Sequence, residues 1–91
     1  MKFLLTNVEC FDNKEELYKV YPILNKYDIV ENKKECERTI NILNLEHLIE
    51  FVRDIEKAQE IAFEKGDICY YGGVIIDGKN KVLVIYDDYL E

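Results

Sequence analysis

The sequence predicts one α+β domain, in which an antiparallel sheet carries two helices on a single face. The chain has 91 residues, which is the size of one small domain with a real hydrophobic core. Hydrophobic residues make up 48% of it and charged residues 34%, as in folded globular proteins rather than disordered tails. Segments with a helical period of 3.6 residues alternate along the chain with short segments that have the two-residue period of strands.

The strongest helical pattern covers residues 44–66. Side chains at spacings of three and four residues form a continuous stripe, and charged side chains occupy the opposite side. The stripe consists of Leu45, Leu48, Ile49, Val52, Ile55, Gln59 and Ala62, widened by Phe51, Ala58 and Phe63. Asn44 is expected to cap the first turn, and Gly66 is expected to end the helix in the left-handed conformation. Lys65 in the last turn suits the negative end of the helix dipole.

A shorter helix is predicted in the first third of the chain. Asp12 and Glu15 have the spacing of a capping box, so this helix is expected to begin near Asn13. Pro22 has no amide hydrogen and clashes with the preceding turn, so the helix is expected to break near Tyr21 and to continue as a short further turn. The apolar stripe of this helix is Leu17, Val20, Tyr21 and Leu24.

Five strands are predicted around the two helices. They cover residues 2–9, 27–31, 35–43, 68–77 and 82–87. In the first strand, Phe3 and Leu5 fall on one face, and Leu4, Val8 and Cys10 fall on the other. The third strand alternates as a half-buried strand does, although Arg38 interrupts its apolar face. That apolar face consists of Cys36, Ile40 and Ile42.

The element order β-α-β-β-α-β-β resembles the ferredoxin-like split β-α-β arrangement with one extra C-terminal strand. The pair Asp77-Gly78 lies between two apolar runs and predicts a hairpin that joins the last two strands. The resemblance implies that both helices lie on one face of an antiparallel sheet. It concerns element order alone and therefore implies nothing about function.

The last two strands are apolar on both faces, and two helices on one side of the sheet cannot cover both. The fourth strand carries Tyr70, Val74 and Ile76 on one face and Cys69, Tyr71 and Ile75 on the other. The fifth strand carries Val82 and Val84 on one face and Leu83 and Ile85 on the other. Large exposed apolar patches mark interaction sites. We therefore expect either a protein partner or a second copy, as a homodimer through the sheet, to cover this surface.

The polar face of the long helix is predominantly acidic. Glu46, Glu50 and Asp54 follow one another at four-residue spacing, which places them about 6 Å apart along the axis. Glu60 and Glu64 repeat this spacing. Like charges at this spacing repel each other by roughly 0.2–0.5 kcal/mol per pair. Two interpretations stay open, namely a solvated face in an acidic protein and a negative surface kept for a basic partner.

The net charge of −7 is concentrated in the centre of the chain. Residues 35–67 contain nine acidic and four basic side chains, whereas residues 1–34 contain six of each. Lysine and arginine supply most of the affinity for phosphate backbones and anionic lipids, so direct binding to nucleic acid or to a membrane is not expected. No apolar run approaches the roughly 18 residues that span a bilayer, and the run at residues 3–5 is too short for a signal-peptide core. We therefore expect a cytoplasmic protein.

No catalytic, cofactor-binding or metal-binding motif occurs in the sequence. The cysteines are odd in number and widely spaced, which fits neither a disulfide framework nor a zinc site. They are Cys10, Cys36 and Cys69, and each is expected to be a small buried apolar residue. The single histidine, His47, is expected at the edge of the polar helix face with no nucleophile spaced to pair with it. The sequence therefore predicts no enzyme activity, no cofactor and no metal.

Tyrosine and aspartate gather in the last two predicted strands and in the short C-terminal tail expected after residue 87. The group comprises Tyr70, Tyr71, Tyr86, Tyr89, Asp77, Asp87 and Asp88. Tyrosine is enriched at protein interfaces, but it also has a high strand propensity, so contact surface and sheet filler both stay open. A solvated acidic tail explains the terminal carboxylates better than a cation site, because no regular set of oxygen ligands accompanies them. Gly72-Gly73 lies within a strand, which favours a bulge, a bend or close packing against a helix over a phosphate cradle.

The leading functional hypothesis is a small acidic protein-binding module. In its concrete form, the protein is an inhibitor or decoy that occupies a basic, nucleic-acid-binding surface of another protein, because carboxylates spaced by a helical turn mimic the regular charge of duplex DNA. In its type, though not in its sequence, it resembles the short acidic phage and mobile-element proteins that block host defences. The expected contact residues are Glu46, Glu50, Asp54, Glu60, Glu64, Tyr70, Tyr86, Asp87, Asp88 and Tyr89.

The alternative hypothesis is a cytoplasmic homo-oligomer that binds a small molecule between paired sheets and serves as a regulatory domain. It predicts a stable dimer and a melting temperature that rises when the ligand is added. An enzyme is not expected, because the only titratable groups that form a pattern are surface acids.

Overall fold

The computed structural model describes residues 1–8, 11–65 and 70–89, and for residues 62, 70, 71 and 87–89 the description covers the backbone only. Within this part of the chain, five strands form one sheet, accompanied by two α-helices and a 3₁₀-helix. The strands are β1 (Lys2–Thr6), β2 (Ile29–Asn32), β3 (Glu37–Asn41), β4 (Tyr70–Asp77) and β5 (Val82–Tyr89). The helices are α1 (Lys14–Val20), the 3₁₀-helix Pro22–Lys26 and α2 (Leu45–Glu64).

The five strands lie in the order β2-β3-β1-β5-β4, and the sheet is mixed. The predicted α+β class is confirmed, but the prediction of an antiparallel sheet is wrong at one pair. β1 and β5 run parallel, with Leu4 opposite Val82, while the other three pairs are antiparallel. The cause is the position of the extra strand, because the β4–β5 hairpin places β5 between β1 and β4. Apart from β5, the strand directions are those of the split β-α-β arrangement.

The hydrophobic core lies between one face of the sheet and the helices. Phe3 is opposite Ile40, and Leu5 is opposite Leu83, so buried side chains are in contact across three neighbouring strands. The helices contribute Leu17 from α1, Leu24 from the 3₁₀-helix, and Phe51 and Ile55 from α2. Burying one such side chain stabilises the fold by about 1.5–3 kcal/mol. Both helices therefore pack on the same face of the sheet, as predicted.

β1 is shorter than the prediction of residues 2–9. Asn7 adopts the left-handed conformation with a φ of 66°, and its side-chain amide donates to the carbonyl of Ile85 at 2.6 Å. This turn directs Val8 into the core, where it is 2% exposed. The alternation predicted Val8 on the face opposite Phe3, and that prediction is wrong because the strand ends before it.

The first helix is capped one residue later than predicted. Asn13, rather than Asp12, is the N-cap, and its side-chain oxygen accepts from the amide of Glu16 at 2.9 Å. The predicted break is confirmed, since α1 ends before Tyr21 and Pro22 opens the 3₁₀-helix. Proline suits this first position because its missing amide hydrogen would have no partner there.

α2 begins where the sequence predicts. Asn44 is the N-cap, and its side-chain oxygen accepts from the amide of His47 at 2.9 Å. Lys65 is the C-cap residue, and Gly66 lies outside the described residues. The loss of an Asn cap costs about 1 kcal/mol in helices of this kind, so this residue fixes the start of the element.

The buried face of α2 is narrower than the predicted stripe. Its centre is Phe51, Ile55 and Gln59, which are all buried. Leu45 and Ile49 were expected on that face but are 68% and 43% exposed, and Phe63 is 47% exposed. These side chains project from one flank of the helix, where no described element covers them fully.

Several strand boundaries and one cysteine also differ from the prediction. Cys36 was expected to be buried on the apolar face of β3, but it precedes the strand, has a φ of 55° and is exposed. Cys10 and Cys69 lie outside the described residues. β5 extends to Tyr89, so the backbone of Asp88 and Tyr89 belongs to the strand rather than to a tail.

Candidate protein-binding surfaces

The predicted acidic line Glu46-Glu50-Asp54 is partly neutralised by a lysine from a neighbouring element. The ammonium nitrogen of Lys26, at the end of the 3₁₀-helix, lies 2.8 Å from Glu50 Oε1 and 2.7 Å from Asp54 Oδ2. Hydrogen bonds to Asp54 and then to Glu50 raise the pKa of Lys26, so it keeps its charge at neutral pH. Two of the three carboxylates in this line therefore already share a cation.

Asp54 is also an internal structural residue. Its carboxylate accepts a hydrogen bond of 2.6 Å from the hydroxyl of Tyr27, and its side chain is only 19% exposed. Burial alone would raise the pKa of Asp54, but the hydrogen bonds from Lys26 and Tyr27 outweigh it and lower that pKa. Burial, together with the hydrogen bond to Asp54, raises the pKa of Tyr27, so its hydroxyl stays a donor.

Tyr27 connects this polar cluster to the start of α2. Its ring stacks on the imidazole of His47 with centroids 5.1 Å apart and meets the ring of Phe51 edge-on at 5.3 Å. His47 Nδ1 accepts from the amide of Leu43 at 3.0 Å, while the amide of His47 donates to Asn44. The histidine thus completes the N-terminal cap of α2. Its position at the edge of the polar face, half-buried, agrees with the sequence-based expectation.

The remaining predicted acidic contacts are fully on the surface. Glu46, Glu60 and Glu64 are exposed, and the described residues provide no ion pair for any of them. Glu46 and Glu64 are five helical turns apart on one line of α2, about 27 Å. Arg53 and Lys57 lie between them on the same outer side. The surface therefore has two acidic ends and a basic middle, rather than an unbroken negative ladder.

A shallow open groove of about 350 Å³ runs along the N-terminal half of this face. It is lined by Glu46, Ile49, Glu50, Arg53 and Asp54. Ile49, which is exposed, is the apolar residue of this lining, and the other four residues carry charges of both signs. The groove therefore suits a side chain of a protein partner better than an enclosed ligand, which needs a concave, mostly buried pocket.

The opposite face of the sheet carries a second surface, which we call the apolar stripe. It consists of Leu4, Val82, Val84, Ile75 and Tyr86. Leu4 is opposite Val82, Val84 is opposite Ile75, and Val82, Val84 and Tyr86 alternate along β5, so the five are contiguous. Ile75 is 57% exposed. No helix in the described ranges covers this face, which agrees with the prediction that both helices lie on the other face of the sheet.

Tyr86 packs over a glycine on the neighbouring strand. A Cβ atom added to Gly73 would lie 2.8 Å from the hydroxyl oxygen of Tyr86 and 3.0 Å from its Cζ. Gly73 is opposite Tyr86 in the ladder, so the missing side chain leaves the space that the ring fills. The sequence-based expectation included close packing against a helix, but the close neighbour of Gly73 is a side chain of the adjacent strand.

The predicted contact residues do not form one surface. The carboxylates of α2 lie on the helical side of the sheet, whereas Tyr86 lies on the opposite side. The side chains of Tyr70, Asp87, Asp88 and Tyr89 lie outside the described part of the chain, so their role in contacts stays a prediction. Sequence spacing groups residues within one element, but it cannot assign two elements to the same side of a fold.

Arg38 and Glu31 form a clamp that sequence reasoning missed. The guanidinium of Arg38 donates to the carbonyls of Val8 and Phe11 and to Glu31 Oε2, while Glu31 Oε1 accepts from the amide of Lys14 at 2.9 Å. The amide of Lys14, and then Arg38, lower the pKa of Glu31. Arg38, which interrupts the apolar face of β3, was the feature of the sequence that could have predicted these contacts. A charged side chain at a core-facing position needs hydrogen-bond partners.

Comparisons of the chain with models of protein families, with curated proteins and with solved structures found no match. Among the helices that the structure describes, none is both long and apolar enough to cross a membrane. In the same residues, no three side chains of histidine, cysteine, aspartate or glutamate come together in a way that could hold a metal ion.

Proposed function

We propose that this protein is a small acidic protein-binding module that contacts a basic partner through the outer face of α2. The observation that carries the proposal is the exposure of Glu46, Glu60 and Glu64, which have no ion-pair partner among the described residues. A carboxylate that has no ion pair within the protein can still form one with a cation of a partner. The negative electrostatic field of several such carboxylates raises the rate of association with a basic surface.

In its most concrete form, the proposal makes the protein a decoy for a basic, nucleic-acid-binding surface. A duplex carries one charge per 3.4 Å on each strand. The two acidic ends of α2, about 27 Å apart, would then occupy two separate basic patches of the partner. Arg53 and Lys57 lie between the two acidic ends of α2. The contact would therefore consist of two separate acidic patches rather than a continuous row of negative charges like that of a DNA strand.

Lys26 restricts which carboxylates of α2 are available to a partner. On this proposal, Glu50 can contribute only by exchanging Lys26 for a cation of the partner, whereas Asp54 stays in its internal contact with Tyr27. The contact residues are therefore Glu46, Glu60 and Glu64, with Glu50 at the margin.

The test is a capture experiment with charge-matched variants. The tagged protein, the variant Glu46→Lys/Glu60→Lys/Glu64→Lys and the control variant Glu15→Lys/Asp28→Lys/Glu37→Lys are each incubated with lysate of the native host. All six positions are exposed, and both variants change the net charge by the same amount. We expect a basic, nucleic-acid-binding protein that the control retains, that the first variant loses, and that short duplex DNA displaces. A partner lost equally by both variants would indicate only a general charge effect and would contradict the proposal.

The apolar stripe favours a second candidate function, a homo-oligomeric regulatory domain that binds a small molecule between paired sheets. This candidate requires a stable oligomer and a melting temperature that rises with a specific metabolite. Val84→Lys, at the centre of the stripe, is expected to abolish both effects. A metabolite screen without any shift, on a protein that stays dimeric, would count against this function.

A further inference from the structure

β4 forms one edge of the sheet. Within the described residues, its only strand partner is β5. β4 has eight residues, and from Tyr70 to Ile76 none of them is charged. The other edge, β2, has four residues and is followed by charged side chains. Short and charged edges resist pairing with another chain, whereas a long, uncharged edge invites it.

The hydrogen-bond ladder identifies the backbone groups on this edge. The amide of Leu4 donates to the carbonyl of Lys81 at 2.8 Å, so odd-numbered residues of β5 direct their backbone groups to β1. Val82, Val84 and Tyr86 then direct theirs to β4, opposite residues 77, 75 and 73. Because these directions alternate along a strand, the amides and carbonyls of Gly72, Val74 and Ile76 point away from the sheet.

We propose that β4 pairs antiparallel with β4 of a second copy across a two-fold axis at Val74, joining two five-stranded sheets into one. In this register Val74 is opposite the partner's Val74, and Gly72 is opposite the partner's Ile76. Each such pair exchanges two hydrogen bonds, so the three pairs supply about six. This interaction surface is independent of the acidic face of α2.

The strand is complementary to itself in side-chain size. Ile75 and Ile76 are 57% and 45% exposed, while the residues at the mirrored positions are Gly73 and Gly72. On the open face, the partner's Ile75 lies across Gly73 and beside the ring of Tyr86, which extends the apolar stripe over the two-fold axis. On the helical face, Ile76 lies across a glycine that leaves room for it. Aromatic and β-branched neighbours of this kind stabilise adjacent strands.

The distribution of charge also favours pairing with a second copy along this edge. The chain has a net charge of −7, so most of its surfaces repel a like molecule. Pairing through residues 70–76 places no like charges opposite each other, since this stretch has none. A β4-to-β2 contact would be heterologous and would leave open edges for further copies, whereas the two-fold pairing closes with one contact.

The test measures mass in solution by sedimentation equilibrium from low to high micromolar concentration. We expect a dimer for the unmodified protein. Ile75→Lys should give monomers, while Val30→Lys should not, although Val30 is 52% exposed on the same face at the opposite edge. Ile76→Pro should also give monomers with an unchanged circular dichroism spectrum, because it removes an outward amide and leaves the β4–β5 ladder intact. A protein that is monomeric throughout, or a dimer that survives Ile76→Pro, would overturn the proposal.

Disulfide trapping tests the register. In a background with serine at the three cysteine positions, Val74→Cys places two thiols at a directly opposed pair, about 5.5 Å apart between Cα atoms, within the range of a disulfide. Ile75→Cys places its thiol opposite Gly73 of the second copy, and the cysteine at position 75 of that copy lies two residues further along its strand. We expect oxidation to cross-link the first variant and not the second. Equal cross-linking of both, or of the second alone, would overturn the two-fold axis at Val74.

Discussion

The hydroxyl of Tyr27 donates a 2.6 Å hydrogen bond to the carboxylate of Asp54, across 27 positions of sequence. Tyr27 is 4% exposed, and its ring packs on Phe51 in the core. The same carboxylate binds the ammonium of Lys26. This contact ties the 3₁₀-helix to α2, and it explains why one carboxylate of the predicted acidic line faces inward.

Tyr27→Phe is expected to lower the free energy of unfolding by about 1–2 kcal/mol. A hydrogen bond to a charged group contributes roughly 1.5–3 kcal/mol, and Lys26 compensates part of the loss at Asp54. Urea denaturation followed by circular dichroism measures the change. Tyr18→Phe is the matched control, because the hydroxyl of Tyr18 has no hydrogen-bond partner among the described residues. Equal losses for the two variants would show that the hydroxyl of Tyr27 contributes nothing specific.

Arg38→Lys is expected to destabilise the fold by about 2 kcal/mol although it keeps the charge. The planar guanidinium reaches two carbonyls and Glu31 at once, which the single ammonium of lysine cannot do. Buried acceptors left without donors cost about 1–3 kcal/mol. The control is Arg53→Lys, an exposed position without an ion pair in the described part of the chain, where thermal unfolding should shift little. A stability of Arg38→Lys equal to that of the control would contradict the clamp.

The stability of the protein is expected to fall in acid because two carboxylates have lowered pKa values. The ordinary values are 3.8 for Asp54 and 4.5 for Glu31, and both are lower in the folded protein. In this range the unfolded chain binds more protons, so the contribution is complete above pH 4.5 and is lost as the pH falls through the folded values. Asp54→Asn and Glu31→Gln should each flatten the acid limb of a plot of unfolding free energy against pH. An unchanged slope in both variants would place the acid sensitivity elsewhere.

Tyr27 gives the corresponding prediction in alkali. Burial, with the hydrogen bond to Asp54, raises its pKa above the ordinary value of 10.0. Its contribution is therefore present below pH 10 and is lost as the pH rises from there, because the unfolded tyrosine ionises first. Tyr27→Phe should lose less stability above pH 10 than the unmodified protein does. Ultraviolet absorbance at the phenolate band tests the same point, since Tyr27 should ionise only on unfolding.

Gly73→Ala is expected to cost about 1 kcal/mol through its contact with Tyr86. The added methyl group would lie 2.8 Å from the hydroxyl oxygen, so the ring must tilt away. In a Tyr86→Ala background the same substitution should be neutral or stabilising, because alanine is favoured over glycine in a strand when nothing blocks it. A double-mutant cycle measures the coupling between the two positions. A cost that is equal in both backgrounds would mean that the glycine is needed for its backbone rather than for the ring.

The sequence predicts several local features of this fold correctly. The Asn44 cap, the break at Pro22 and the turn that begins at Asp77 depend on neighbours within a few positions, where side chain and backbone meet directly. The position of β5 depends on which side of β4 it pairs with, and an apolar strand suits either side. Nothing in the spacing of apolar residues distinguishes the two sides, so the parallel pair could not be predicted.

The same limit applies to the candidate surfaces. The four-residue spacing of carboxylates on α2 is visible in the sequence. Lys26, which binds Glu50, is 24 positions away in the sequence, so no pattern within the helix predicts this ion pair. The position of β4 at an edge is likewise a property of the sheet order. Its composition alone, uncharged and apolar, is equally typical of a central strand.

The parallel pairing of β1 with β5 affects how the protein folds during synthesis. Asn7, just after β1, bonds Ile85 across 78 positions, and closing so long a loop is slow in comparison with forming local hairpins. Of the five described strands, β1 is synthesised first, and its neighbour β5 is synthesised last. Until β5 is synthesised, β3 is the one native neighbour in the described sheet that β1 can pair with, and the backbone groups on the other side of β1 are hydrogen-bonded to water.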